Sequence, residues 1–178
     1  MFDHKIIITG PVGVGKSTAI RTYSTSDVVD TDVRATDKTR ALKDNTTVAM
    51  DYGTIVLDAE TKVHLYGTPG QERFDFMWDI LSKGSRGIII LVNASATDPA
   101  QDLRMYMYAF AEVLDKVPVV VGVNQHDGHS GRELRPQLQV VINEFQSEAD
   151  IVFVDVRKRK DVNKLVKRIL FSYKLFAH

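Results

Sequence analysis

The sequence predicts an α/β fold, a six-stranded, mostly parallel sheet with about five helices on its two faces. Short runs rich in Val and Ile alternate with segments of helical periodicity, the pattern of a parallel sheet covered by helices. The first apolar run passes straight into Gly10–Thr18, GPVGVGKST, a glycine-rich loop that belongs between a buried strand and a helix N-terminus. One pair of strands is joined by too few residues for a parallel crossover, so one antiparallel strand is expected, at the sheet edge. At 178 residues the chain can bury a core without disulfide or metal, and residues 1–178 are read as one domain.

Taken in order, Lys5–Thr9 is the first strand, and the first helix follows the glycine loop over Gly15–Ser24. Val48–Leu57 and Lys62–Tyr66, separated by Asp58–Ala59–Glu60–Thr61, form the antiparallel hairpin. A helix over Glu72–Lys83 precedes the strand Gly87–Asn93. Asp98 is a cap before the helix-compatible Pro99 and opens a helix over Pro99–Leu114. Val117–Asn124 is the next strand, and Ser130 with Glu133 makes a capping box for a helix over Gly131–Gln146. Ile151–Val154 is the last strand. Val162, Leu165, Val166, Ile169, Leu170 and Tyr173 then mark one face of a final helix over Asp161–Phe176.

Composition removes several classes of function. Cysteine is absent, which excludes disulfides, thiol nucleophiles and Cys-zinc sites and agrees with a reducing, cytoplasmic setting. The 23 Lys and Arg balance 23 Asp and Glu, so charge offers no general attraction to nucleic acid or to an anionic membrane. Neither MFDHK at the start nor KLFAH at the end reads as a signal peptide, a myristoylation start or a prenylation box. No direct membrane anchor is expected. Lys158, Arg159 and Lys160 read as a solvated face.

The glycine loop carries the first chemistry. Gly10, Gly13 and Gly15 allow backbone conformations that side chains resist, so N–H groups of the run Gly13, Val14, Gly15, Lys16, Ser17 and Thr18 can turn inward round phosphate oxygens. Lys16 supplies a cation for the β- and γ-phosphates, Ser17 a hydroxyl for Mg²⁺, and the helix start the positive end of its dipole. The polar segment from about Thr25 to Thr47 is too long for an ordinary connection and reads as a functional loop. Thr47, the last polar residue before a strand, is placed to reach a metal on the γ-phosphate, although strand propensity alone would also explain it. In LYGTPGQERF, Leu65–Phe74, Gly70 offers a backbone N–H to a γ-phosphate and Gln71 could orient an attacking water.

GPVGVGKST, TVAMDY and GTPGQERF, in this order and spacing, resemble the motifs of Ras-like small GTPases, especially Rab-type proteins, whose corresponding segments read TIGVDF and DTAGQERF. The resemblance covers nearly the whole chain, and GTPGQERF followed by FMWDIL looks closest to bacterial Ras-like GTPases, some of which work with roadblock-type partners. It implies a P-loop NTPase fold of the Ras-like G-domain type, GTP and GDP as ligands with Mg²⁺, and effector and regulator proteins as partners. NQHD matches the family's NKxD at Asn124 and Asp127, with Gln125 in the lysine position. A carboxylate at Asp127 would accept from guanine N1–H and the N2 amine, whereas adenine would leave the charge unpaired. Asp155, Val156 and Arg157 fall at the family's SAK positions, where the Val156 N–H would contact guanine O6 and Arg157 could stack on the base. His126 and His129 read as polar loop residues rather than metal ligands.

Three departures from the family pattern bear on affinity, metal support and hydrolysis. Gln125 removes a cation that packs near the base and braces the phosphate loop. The aspartate that supports Mg²⁺ in the family is Gly67 here, so its role falls vacant or to a carboxylate such as Asp32 or Asp37. Val12 stands where hydrolytic relatives often carry glycine and would crowd Gln71 or an incoming arginine, so slow turnover is expected. Arg34, Arg40 and Arg73 are candidates for an internal arginine finger, a contribution on the order of 10³-fold when correctly placed, and each is otherwise an ordinary surface arginine. Phe74, Phe76, Met77 and Trp78 combine packing with the composition of an effector surface. The expected function is a slow GTPase switch in which Thr47 and Gly70 hold two loops on the γ-phosphate. Its rivals are a guanine-nucleotide-binding module without hydrolysis and a P-loop small-molecule kinase, which leaves NQHD and GTPGQERF unexplained.

Overall fold

The computed structural model describes residues 2–25, 29–30, 51–69, 82–127 and 130–176. Its strands are β1 Phe2–Thr9, β2 Val29–Asp30, β3 Asp51–Val56, β4 Thr61–Gly67, β5 Gly87–Asn93, β6 Val119–Asn124 and β7 Asp150–Phe153. They form one sheet in the order β2-β3-β4-β1-β5-β6-β7. The six expected strands are all there. Pairings from β4 across to β7 are parallel, and β3 alone runs against β4.

The outer edge differs from expectation. Neither hairpin strand is the edge, because the two-residue β2 pairs antiparallel with β3. Thr25 adds to the cover by donating its N–H to Thr54 O at 3.0 Å. An uncovered β3 would present a row of unpaired backbone groups, and the segment read as irregular loop supplies partners for them.

Four helices stand among the described residues: α1 Lys16–Tyr23, α2 Pro99–Ala109, α3 Ser130–Glu144 and α4 Arg159–Phe176. The helix expected over 72–83 lies outside them apart from its C-terminal end. Asp98 caps α2 as anticipated, its Oδ1 accepting from Gln101 N–H at 2.9 Å, with Pro99 in the first turn. The same helix stops five residues before the periodicity does. Beyond Ala109 the bonding shifts to a tighter i→i−3 pattern, Ala111 N–H to Tyr108 O and Val113 N–H to Phe110 O. Phe110 and Leu114 nevertheless remain buried, which is why the apolar spacing continued.

Strand alternation sorts the core into two layers. Ile7, Ile88 and Ile90 face α2 and α3 and pack with Leu103, Met107 and Leu138. Ile6, Ile8, Ile89 and Leu91 face the other way, onto Ile20 of α1 and Val162, Leu165 and Ile169 of α4. β1 is thus central, buried on both faces. The chain leaves it toward β4 on one side and later returns to β5 on the other, so a crevice opens at the carboxyl ends of the strands where the winding reverses.

Candidate functional site

The phosphate loop leaves β1 at Thr9 and enters α1 at Lys16. Gly10, Gly13 and Gly15 all have positive φ, of 146°, 77° and 109°. A Cβ on Gly10 would stand 2.5 Å from Leu91 O, and one on Gly15 would stand 2.8 Å from Val156 Cγ2 and 3.0 Å from Asn124 Nδ2. Gly15 is therefore the point at which the phosphate loop, the NQHD turn and the segment after β7 come together.

Lys16 is curled back onto its own loop, donating to Gly10 O at 2.6 Å and Pro11 O at 2.8 Å. Burial pushes its pKa down to about 8, opposed by the Asp51 carboxylate. Ser17 Oγ donates to Asp51 Oδ2. Asp51 was not anticipated. It stands on β3 directly opposite Gly67 of β4, and a Cβ at Gly67 would come within 3.3 Å of the Asp51 Cβ. A carboxylate thus stands beside Ser17 on the strand next to Gly67, across the hairpin ladder. Thr68, one residue on, is buried and shares a 2.7 Å hydrogen bond with Thr9, while its N–H donates to Ile8 O. The start of the GTPG segment is thereby fastened to the strand that bears the phosphate loop.

Asn124, at the end of β6, is 5% exposed and acts as a staple. Its Nδ2 donates to Val14 O at 2.9 Å, and its Oδ1 accepts the Val156 N–H at 3.3 Å. Gln125, with φ 58° in the left-handed region, donates from Nε2 to Gly13 O at 3.2 Å, and its own carbonyl accepts from Ser95 Oγ at 3.0 Å. The brace onto the phosphate loop expected to weaken with the loss of lysine is kept as a neutral amide contact. Asp127 is exposed.

Between the phosphate loop and the turn from β7 to α4 lies a cavity of about 620 Å³, lined by Gly13, Gly15 and Thr18 on one side and by Gln125, His126 and Val156 on another. His126 sets its ring edge-on to Phe153, with centroids 5.3 Å apart, and is half-buried rather than solvent-facing. Arg157 also lines this cavity. Its Nε and Nη2 fork onto Asp155 at 2.9 and 3.0 Å, and with Lys158 this holds the Asp155 carboxyl far below the usual carboxylate range. Asp155 N–H donates to Asp161 Oδ2, fixing the turn into α4.

Val12 is 70% exposed, so its isopropyl group displaces nothing among the described residues. Thr47, Gly70, Gln71, Arg34, Arg40 and Arg73, together with Asp32 and Asp37, lie outside the described residues. Among the described residues no three His, Asp or Glu side chains cluster as a metal cage. Ser17 and Asp51 are nonetheless hard oxygen donors side by side at the loop, the chemistry Mg²⁺ selects when phosphate oxygens complete its shell.

The sheet order, the positive-φ glycine loop and the buried lysine define a P-loop NTPase, a nucleotide-binding protein. A family described as conserved hypothetical ATP binding protein matches residues 21–177, and the chain belongs to it. The chain is also similar to an uncharacterized protein of Methanocaldococcus jannaschii, 27% identical over 69% of this chain and 70% of that one. It is 29% identical to the Ras-related protein Rab-7b of Mus musculus over 90% of this chain and 76% of that one. It is 28% identical to the Ras-related protein Rab-1D of Dictyostelium discoideum over 60% of this chain and 48% of that one.

Proposed function

We propose that the protein is a guanine-nucleotide-dependent switch that binds GTP and GDP with Mg²⁺ and hydrolyses GTP slowly. The observation that carries this reading is the Asn124 staple, which ties the phosphate loop at Val14 to the Val156 turn across one cavity. A single ligand with phosphates at one end and a purine at the other spans those two points. On this reading Gly13 to Thr18 turn their N–H groups to the phosphates, and Lys16 exchanges two loop carbonyls for phosphate oxygens. Asp127 accepts from guanine N1–H and N2, and the Val156 N–H turns from Asn124 to guanine O6. Mg²⁺, when bound, neutralises charge on the β- and γ-phosphates. Ser17 would hold it, with Asp51 aligning Ser17 from behind in place of an aspartate at Gly67. Thr47, Gly70, Gln71 and one of Arg34, Arg40 or Arg73 complete hydrolysis and switching in this proposal, with effector and regulator proteins, a roadblock type among them, as partners in the cytoplasm.

The family's description as ATP-binding favours a second reading, ATP in the same cavity. Calorimetry with GTP, ATP and ITP separates the two, since ITP keeps guanine's N1–H and O6 but lacks N2. Affinity in the order GTP, then ITP, then ATP is expected; equal affinity for ATP and GTP overturns the guanine assignment. Single-turnover phosphate release then distinguishes a slow GTPase from a module that only binds.

A further inference from the structure

Away from the nucleotide cavity, the tip of the β3–β4 hairpin and the first half of α4 enclose an open groove of about 690 Å³. Its hairpin wall is apolar, formed by Ile55, Val56 and Leu57, and Val56 is 53% exposed. Its helix wall is basic. Arg159, Lys160 and Lys167 line it and are all exposed, and among the described residues neither Lys160 nor Lys167 has an ion pair. The floor is Tyr23, which is 1% exposed, fixed by a 2.6 Å hydrogen bond from its hydroxyl to Asn163 Oδ1, and overlain by the Arg159 guanidinium at 5.4 Å. Asp58 adds one carboxylate to the lining.

We infer that this groove docks an acidic, apolar-anchored peptide segment of a partner protein, at a site separate from the nucleotide. The protein is neutral as a whole, so a cationic wall whose Lys160 and Lys167 have no ion pair among the described residues, beside the exposed Val56, is a local feature with a local complement. Carboxylates of the segment would pair with Lys160 and Lys167, while one or two apolar side chains fill the trough against Val56 and Leu57, the division of labour of a helix-in-groove contact. A concave trough with one apolar and one cationic wall suits a peptide ridge better than the flat surface of a membrane.

The test pans a random 12-residue display library against the full chain loaded with GDP, then measures synthetic versions of the enriched peptides by fluorescence anisotropy. Enrichment of peptides combining Asp or Glu with Leu, Ile or Phe is expected. Their affinity should fall at least tenfold in Lys160→Glu/Lys167→Glu and in Val56→Asp, and should weaken from 50 to 300 mM salt, with GDP affinity unchanged in the lysine variant. Enriched peptides without acidic residues, or acidic ones that bind the variants as well as the parent, overturn the proposal. Binding to vesicles containing 30% phosphatidylserine that is lost in the lysine variant, with no peptide enriched, assigns the groove to a membrane and also overturns it.

Discussion

Lys16 and Asp51 show how one buried charge sets the behaviour of the site. Lys16 is held by two backbone carbonyls in a largely desolvated position, which favours its neutral form and lowers its pKa to about 8. Phosphate binding requires the ammonium. Below pH 8 the free protein already carries that proton, and above it the proton must be taken up on binding. Nucleotide affinity is therefore expected to fall by up to about tenfold per pH unit above pH 8, with proton uptake measurable by calorimetry in buffers of different ionisation enthalpy. Stability of the free protein moves the other way. Between about pH 8 and the unperturbed value of 10.5, the unfolded chain binds more protons at Lys16 than the folded one, so this residue's contribution becomes more favourable as pH rises. Asp51→Asn tests the carboxylate: the Mg²⁺ concentration needed for tight GDP binding should rise about 10- to 100-fold, while affinity measured in EDTA stays within a few-fold of the parent. An unchanged Mg²⁺ requirement would remove Asp51 from the site. Lys16 and Ser17 were legible from GPVGVGKST, because their spacing from the glycines places them. Asp51 was not, because its importance comes from a pairing between strands.

Among the elements, the hairpin decides that pairing. A four-residue connection over 58–61 would have closed between Leu57 and Lys62 and set Tyr52 opposite Gly67. The observed connection closes one residue earlier, Leu57 N–H donating to Thr61 O at 2.9 Å, with Asp58 Oδ1 accepting the Glu60 N–H inside the turn. That single step brings Asp51 opposite Gly67, since a one-residue slip in register exchanges the faces of a strand. Helix α2 illustrates the reverse case, where a local signal sufficed: Asp98 and Pro99 announced its start. Asp98→Ala should lower stability by about 1 kcal/mol in urea denaturation and leave GDP affinity unaltered, the cap being remote from the cavity. The end of the same helix was misread because burial of Phe110 and Leu114 persists after the hydrogen bonding has tightened, and apolar spacing reports burial rather than bond pattern.

For the molecule as a whole, Asn124 is the junction between the two ends of the cavity and so couples ligand binding to folding. If GDP bridges Val14 and Val156 as proposed, GDP at 100 times its dissociation constant should stabilise the protein by about 2.7 kcal/mol. At the same GDP concentration Asn124→Ala should show little of that gain in thermal unfolding, because the loop and the turn no longer share a partner. A variant that keeps the full GDP-dependent shift would place the bridge elsewhere. The central position of β1, whose C-terminal half is buried on both faces, makes this coupling possible: the phosphate loop hangs from a strand paired on both sides.

The sequence by itself determined the α/β class, the six main strands and the phosphate loop, because each follows from local alternation, glycine placement or the spacing of a few residues along the chain. It also located Asn124 and the Val156 turn as motif positions. The tertiary structure alone decided that Asn124 joins them, that Asp51 stands opposite Gly67 and accepts from Ser17, that Arg157 pairs with Asp155, and that β2 covers the edge. Each of these depends on strands and turns distant in sequence meeting at a particular register. Register is set by how a turn closes and how two faces pack, quantities that no single stretch of residues contains.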